Sequence, residues 1–182
     1  EFFREFLNRC VVPVADYVGK GLEQVVPKIR PLFRPPGALP EEFFLETCHR
    51  CGYCVDVCPA NAIVIFRGED ERVKDTPYID LENQPCVVCN GLECMEVCPS
   101  GALRKLPLGK VQIGMAEVDP EVCVRSTGEE CVQCITHCPL GERAIGLDKA
   151  GTIKVLLDGC VGCGVCQHVC PTSPRAIVVK PV

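Results

Sequence analysis

Cys160-Val-Gly-Cys163-Gly-Val-Cys166-Gln-His-Val-Cys170-Pro171 carries four cysteines separated by 2, 2 and 3 residues, with proline directly after the last. Three thiolates on one tight loop can reach three irons of a single cube. The fourth, at the start of a short helix, points away and serves a neighbouring cube. This is the ligand run of a [4Fe–4S] cluster in proteins that hold clusters in pairs. Gly162 and Gly164 let the backbone curl around the sulfides, because glycine tolerates positive φ. Pro171 lacks an amide hydrogen and fixes φ, so it ends the turn.

The same arrangement occurs four times. Block one is Cys48, Cys51, Cys54 and Cys58, followed by Pro59, with gaps of 2, 2 and 3. Block two is Cys86, Cys89, Cys94 and Cys98, followed by Pro99, with gaps of 2, 4 and 3. Block three is Cys123, Cys131, Cys134 and Cys138, followed by Pro139, with gaps of 7, 2 and 3. Block four is Cys160, Cys163, Cys166 and Cys170. The first cysteines lie 38, 37 and 37 residues apart, which marks an internal repeat. Sixteen cysteines in four quartets call for four [4Fe–4S] clusters.

The repeat extends past cysteine. A small residue and an aliphatic follow each Cys-Pro: Ala62-Ile63, Ala102-Leu103, Ala144-Ile145 and Ala176-Ile177. A β-like run and an acid precede three blocks: Tyr78-Ile79-Asp80, Ala116-Glu117-Val118-Asp119 and Val155-Leu156-Leu157-Asp158. Each unit reads as strand, cluster loop, short helix, strand. The expected fold class is α+β: two bacterial dicluster-ferredoxin-like modules with little regular secondary structure, preceded by an N-terminal helical arm. The expected boundaries are 1–40 for the arm and a proline-rich linker, and 41–182 for the polyferredoxin.

Blocks one and four share regular spacing, while two and three carry the insertions. That pattern suggests nesting, with 41–75 plus 150–182 as one module and 76–149 as the other. The nested ligand sets are Cys48, Cys51, Cys54 and Cys170; Cys58, Cys160, Cys163 and Cys166; Cys86, Cys89, Cys94 and Cys138; and Cys98, Cys123, Cys131 and Cys134. Sequential pairing, one with two and three with four, is the alternative.

Cysteine makes up 17 of 182 residues and tryptophan is absent, so a conventional core is thin for this length. Metal binding can supply the missing folding free energy. Disulfides fit poorly, because cysteines two residues apart are badly placed to bridge within one loop. Zinc sites join two separated pairs, not a continuous run ending in proline. A net charge of −5 without a basic run argues against nucleic acid as a partner. No apolar stretch approaches the roughly 18–20 residues of a membrane span. No export signal is visible, but the chain begins at Glu1 rather than methionine, so that is no evidence for a cytoplasmic home.

Ahead of the blocks, Phe2, Phe3, Phe6, Leu7, Cys10, Val11, Val14, Tyr17 and Val18 recur at helical spacing, and Pro13 should kink or split the helix. This arm is expected to pack on its own domain or a partner, with a membrane-surface helix as the other reading. Cys10 has no neighbour at ligand spacing and reads as a buried apolar thiol. His49, His137 and His168 each lie within two residues of a ligand and are expected at the surface. A role in proton-coupled tuning is the sharper alternative. No catalytic constellation stands out.

Four segments carry a resemblance: Arg34-Pro-Pro-Gly-Ala-Leu-Pro40, Cys48-His-Arg-Cys51-Gly, Thr76-Pro-Tyr-Ile-Asp80 and Gly114-Met-Ala116. With the long gaps in blocks two and three, residues 34–182 resemble the NapG/MauM group of ferredoxin-type proteins, associated with periplasmic nitrate reduction and methylamine utilisation. The nested pairing rests partly on this resemblance. It also implies export in folded form by the twin-arginine route, work on the outer face of the cytoplasmic membrane, and electron relay from a quinol-oxidising membrane partner toward a terminal oxidoreductase. The expected role is an electron carrier with no catalytic site of its own. The alternatives are a cytoplasmic polyferredoxin subunit of a hydrogenase or molybdopterin oxidoreductase, a connector whose clusters mainly stabilise the fold, and a zinc-binding adaptor.

Overall fold

Proline and glycine punctuation keeps every element short. The computed structural model describes residues 32–182; the expected N-terminal helix and Cys10 lie outside the described residues. These residues hold together as one unit.

Helix α1, Glu41–Thr47, opens at Pro40 and carries two glutamates in its first turn, where acids suit the helix dipole. The next four helices, α2 (Tyr53–Asp56), α3 (Glu93–Glu96), α4 (Gln133–Thr136) and α5 (Val165–His168), are single turns. Each holds the third cysteine of its block, and the fourth follows the helix end rather than starting the helix as the sequence suggested. Each stops because the fourth cysteine precedes proline, whose ring disfavours helical geometry in the residue before it.

Strands β1 (Ile63–Ile65) and β2 (Pro77–Ile79) form one antiparallel pair, with Ile63 opposite Ile79. Strands β4 (Ile145–Leu147) and β5 (Ile153–Val155) form a second, with Ile145 opposite Val155. Strands β3 (Gly114–Val118) and β6 (Ile177–Pro181) form the third, running from Gly114 opposite Pro181 to Val118 opposite Ile177. In the first half, a single bridge between Ala38 and Leu103 takes the place of β3–β6. Pro35, Pro36 and Pro40 leave few amides there to extend a ladder. What remains is Leu39 N–H to the Ala102 carbonyl at 3.0 Å and Arg104 N–H to the Gly37 carbonyl at 2.8 Å.

The two halves therefore share one plan. The segment before the first block of a half pairs with the segment after its second block, and the two segments between the blocks pair with each other. This corrects the nested grouping. Strand β1, in 41–75, pairs with β2, in 76–149; β4, in 76–149, pairs with β5, in 150–182. Hydrogen bonding across each two-block unit, not the length of a gap inside a block, decides the partners. The observed fold is a small mixed helix and strand structure with little regular secondary structure.

The apolar interior is correspondingly small. Phe44 is wholly buried, with Ile79 and Ile145 the next largest fully enclosed side chains. Arg34, only 7% exposed, is the buried cation of this layer. Its guanidinium donates to both carboxylate oxygens of Glu41 at 2.8 and 2.5 Å, to Thr76 Oγ1 at 2.8 Å and to the Pro77 carbonyl at 2.7 Å. It also lies 4.5 Å from the centre of the Phe44 ring. One side chain thus ties α1 to β2.

Candidate metal centres

All sixteen block cysteines line four cavities, four to each. Site I is lined by Cys48, Cys51, Cys54 and Cys98. Site II is lined by Cys86, Cys89, Cys94 and Cys58. Site III is lined by Cys123, Cys131, Cys134 and Cys170, and site IV by Cys160, Cys163, Cys166 and Cys138. Three cysteines of each block stay together, and the fourth crosses to the other block of the same half. The four nested sets are therefore replaced by sequential ones: Cys98 takes the place of Cys170 with block one, Cys58 of Cys138 with block two, Cys170 of Cys98 with block three, and Cys138 of Cys58 with block four.

The four cavities are alike in size, about 20 Å³ each when measured to the centre of a water-sized sphere. Four enclosures of near-equal size, each with the same donor set, suit one kind of occupant. Their walls explain the repeat beyond cysteine. Ala102 and Leu103 line site I, Ala62 and Ile63 site II, Ala176 and Ile177 site III, and Ala144 and Ile145 site IV. The four alanines are 1–3% exposed, so a longer side chain at any of them has only the cavity to enter.

The insertions are absorbed locally. In block two, Gly91 and Leu92 turn with φ of +97° and +46°, and Leu92 joins the wall of site II. In block three, a 3₁₀ turn at Val124–Thr127 takes up the extra residues. Arg125 anchors it by donating to the Gly151 carbonyl at 2.6 Å and the Cys131 carbonyl at 3.2 Å.

Burial pushes the thiols of Cys54, Cys94, Cys163 and Cys166 up to about 12, and neighbouring cysteines add to the effect. Cys86 and Cys134 rise to about 11 for the same first reason. Metal loading must therefore displace protons, since the thiolate is the ligand. Cys98 and Cys170 behave differently. Burial pushes them up as well, but hydrogen bonds outweigh it and both end below the ordinary thiol value. For Cys98 the donors are the Leu103, Ser100 and Gly101 amides and the Ser100 hydroxyl. For Cys170 the Thr172 hydroxyl leads, 3.2 Å from the sulfur, with the Thr172, Ala176 and Ile177 amides behind it. Elsewhere, Arg50 N–H donates to Cys48 Sγ at 3.4 Å and Ala62 N–H to Cys58 Sγ at 3.3 Å. Amides aimed at sulfur in a cysteine-lined cavity are the surroundings a thiolate-held cluster uses, so these residues fit a [4Fe–4S] group.

Other side chains sort as expected or were missed. His49, His137 and His168 are all exposed. Ser100 and Thr172 escaped the sequence reading, although Cys98-Pro-Ser100 and Cys170-Pro-Thr172 alternate with Cys58-Pro-Ala60 and Cys138-Pro-Leu140. That alternation marks blocks two and four as equivalent. Gln167 was missed too: a buried amide with no pattern in sequence to reveal its partners.

Comparison with known proteins agrees with this chemistry. A family model described as a 4Fe–4S dicluster domain matches residues 47–102. The methylamine utilization ferredoxin-type protein MauM of Methylobacillus flagellatus is 34% identical over 98% of this chain and 82% of its own length. The MauM protein of Methylorubrum extorquens is 38% identical over 81% of this chain and 72% of its own. The ferredoxin-type protein NapG of Escherichia coli is 33% identical over 100% of this chain and 84% of its own. The chain belongs to the NapG/MauM ferredoxin-type proteins, [4Fe–4S] electron-transfer subunits that carry charge rather than catalyse a reaction.

Proposed function

We propose that the chain holds four [4Fe–4S] clusters, one in each cysteine-lined site, in two dicluster modules. In this reading it relays single electrons between a membrane quinol- or quinone-linked partner and a terminal oxidoreductase at the outer face of the cytoplasmic membrane. The observation that carries the cluster count is the set of four near-equal cavities, each lined by four cysteines and a buried alanine. Bound clusters supply reversible one-electron chemistry. The chain supplies the thiolates, the amide and hydroxyl donors that set each potential, and apolar walls that keep water off the sulfides. A zinc adaptor fits less well: among the described residues, no three histidine, cysteine or acidic side chains converge closely enough to grip a single ion. Membership of the family supports a membrane partner; among the described residues no helix is long and apolar enough to cross a membrane.

Anaerobic purification with iron and sulfide analysis tests the cluster count. Full Cys₄ ligation at every site gives about sixteen irons per chain. About eight irons, or zinc in their place, removes the reading. Copurification of a quinol-reactive membrane subunit tests the relay, and a complex lacking one counts against it.

A further inference from the structure

Within each half the crossing fourth cysteine makes two sites neighbours, I with II and III with IV. Which site of the first half meets which of the second is a separate matter. Block two runs on into block three, so chain order alone places site II beside site III. The fold joins different sites. The amide of Cys86, in site II, donates to the carbonyl of Cys163, in site IV, at 3.0 Å. The loop of site IV presses on the approach to block two along several residues. A Cβ on Gly164 would fall 2.5 Å from the Leu81 side chain. Gln167, 6% exposed and next to Cys166, donates from Nε2 to Glu82 at 2.8 Å and accepts from the Val179 amide at 2.6 Å. Among the described residues, no hydrogen bond joins a cysteine of blocks one or two to a cysteine of block three.

We infer that the chain orders its sites I–II–IV–III, so that charge enters and leaves at sites I and III and crosses between the halves over the Cys86–Cys163 peptide contact. This rests on the four-cluster reading above. Each hop oxidises one site by one electron and reduces the next by one. No bond to the protein forms or breaks, and the external donor and acceptor close the balance. Access fits site I as one end: its Cys51 is exposed, whereas Cys86 and Cys163 at the joint are buried. The hydroxyl donors agree as well, since Ser100 and Thr172 serve Cys98 and Cys170, which line the two end sites.

The test is magnetic coupling between reduced clusters, read by pulsed EPR on dithionite-reduced holoprotein. Cys51→Ala with Cys131→Ala leaves sites II and IV; Cys51→Ala with Cys160→Ala leaves sites II and III. The expected result is broadened, several-fold faster-relaxing signals in the first variant and signals like those of isolated clusters in the second. The opposite pattern overturns the order. Should a double variant lose iron from the sites it ought to keep, Cys160→Ala alone decides. Loss of site IV should narrow the signals of both II and III, and narrowing of III alone overturns the order. Iron content of the unaltered protein separates the two failures. About sixteen irons with the wrong coupling defeats only the order, whereas about eight defeats the four-cluster reading and the order together.

Discussion

Thr172 and Ser100 show how one hydroxyl differentiates chemically identical ligands. A ligand sulfur has no proton, so it can only accept, and each donor it gains favours the more negative, reduced state of the site. Thr172→Val keeps the shape of the side chain and removes the donor 3.2 Å from Cys170 Sγ. The potential of site III should fall by tens of millivolts, at most about 40 mV if the whole ~1 kcal/mol of a typical hydrogen bond acts on one redox state. Redox titration followed by EPR reads this, and an unchanged midpoint removes Thr172 from the tuning set. The repeat alanines act through volume. Ala102→Leu drives three extra carbons toward site I from a position 1% exposed. The expected outcome is loss of about four irons with the other sites loaded. Full iron content would mean that the wall yields.

At the scale of elements, the chain relies on few strong ties. Arg34 joins α1 to β2 behind site I, and Phe44, beneath its guanidinium, is part of that site's wall. Arg34→Met leaves the Glu41 carboxylate without its bidentate partner. A fully buried pair broken on one side costs about 3–5 kcal/mol. Glu41 keeps 26% side-chain exposure, so roughly 2–3 kcal/mol is expected here. The measure is the thermal unfolding midpoint of the holoprotein, and a shift of less than a degree would show that α1 is held some other way. Several strands were legible before any fold was known. Tyr78-Ile79 lies in β2 and Ala116-Glu117-Val118 in β3, because alternating apolar residues ending in an acid have few other uses. The first outer strand was legible only as a proline-rich joint, and it forms just the Ala38–Leu103 bridge.

For the molecule as a whole, metal substitutes for a larger apolar core. Cysteines are built into the apolar cluster of the described fold, and few large side chains are fully enclosed. Removing iron with a chelator under oxidising conditions should therefore unfold the chain, with loss of near-UV and most far-UV dichroism at room temperature. A native-like spectrum in the apoprotein would show that packing alone suffices. The cluster chemistry was readable from a single line of text, because ligand gaps of two and three residues, closed by proline, are a matter of local chain geometry. The small residue that must follow each block was readable for the same reason. Pairing was not: the gaps of four and seven are taken up by Gly91, Leu92 and the Val124–Thr127 turn within their own loops, so they carry no information about distant partners. Which fourth cysteine crosses to which site, and that site II meets site IV, depends on hydrogen bonds between segments up to 85 residues apart, such as Gln167 to Glu82. Only the folded chain brings those segments together.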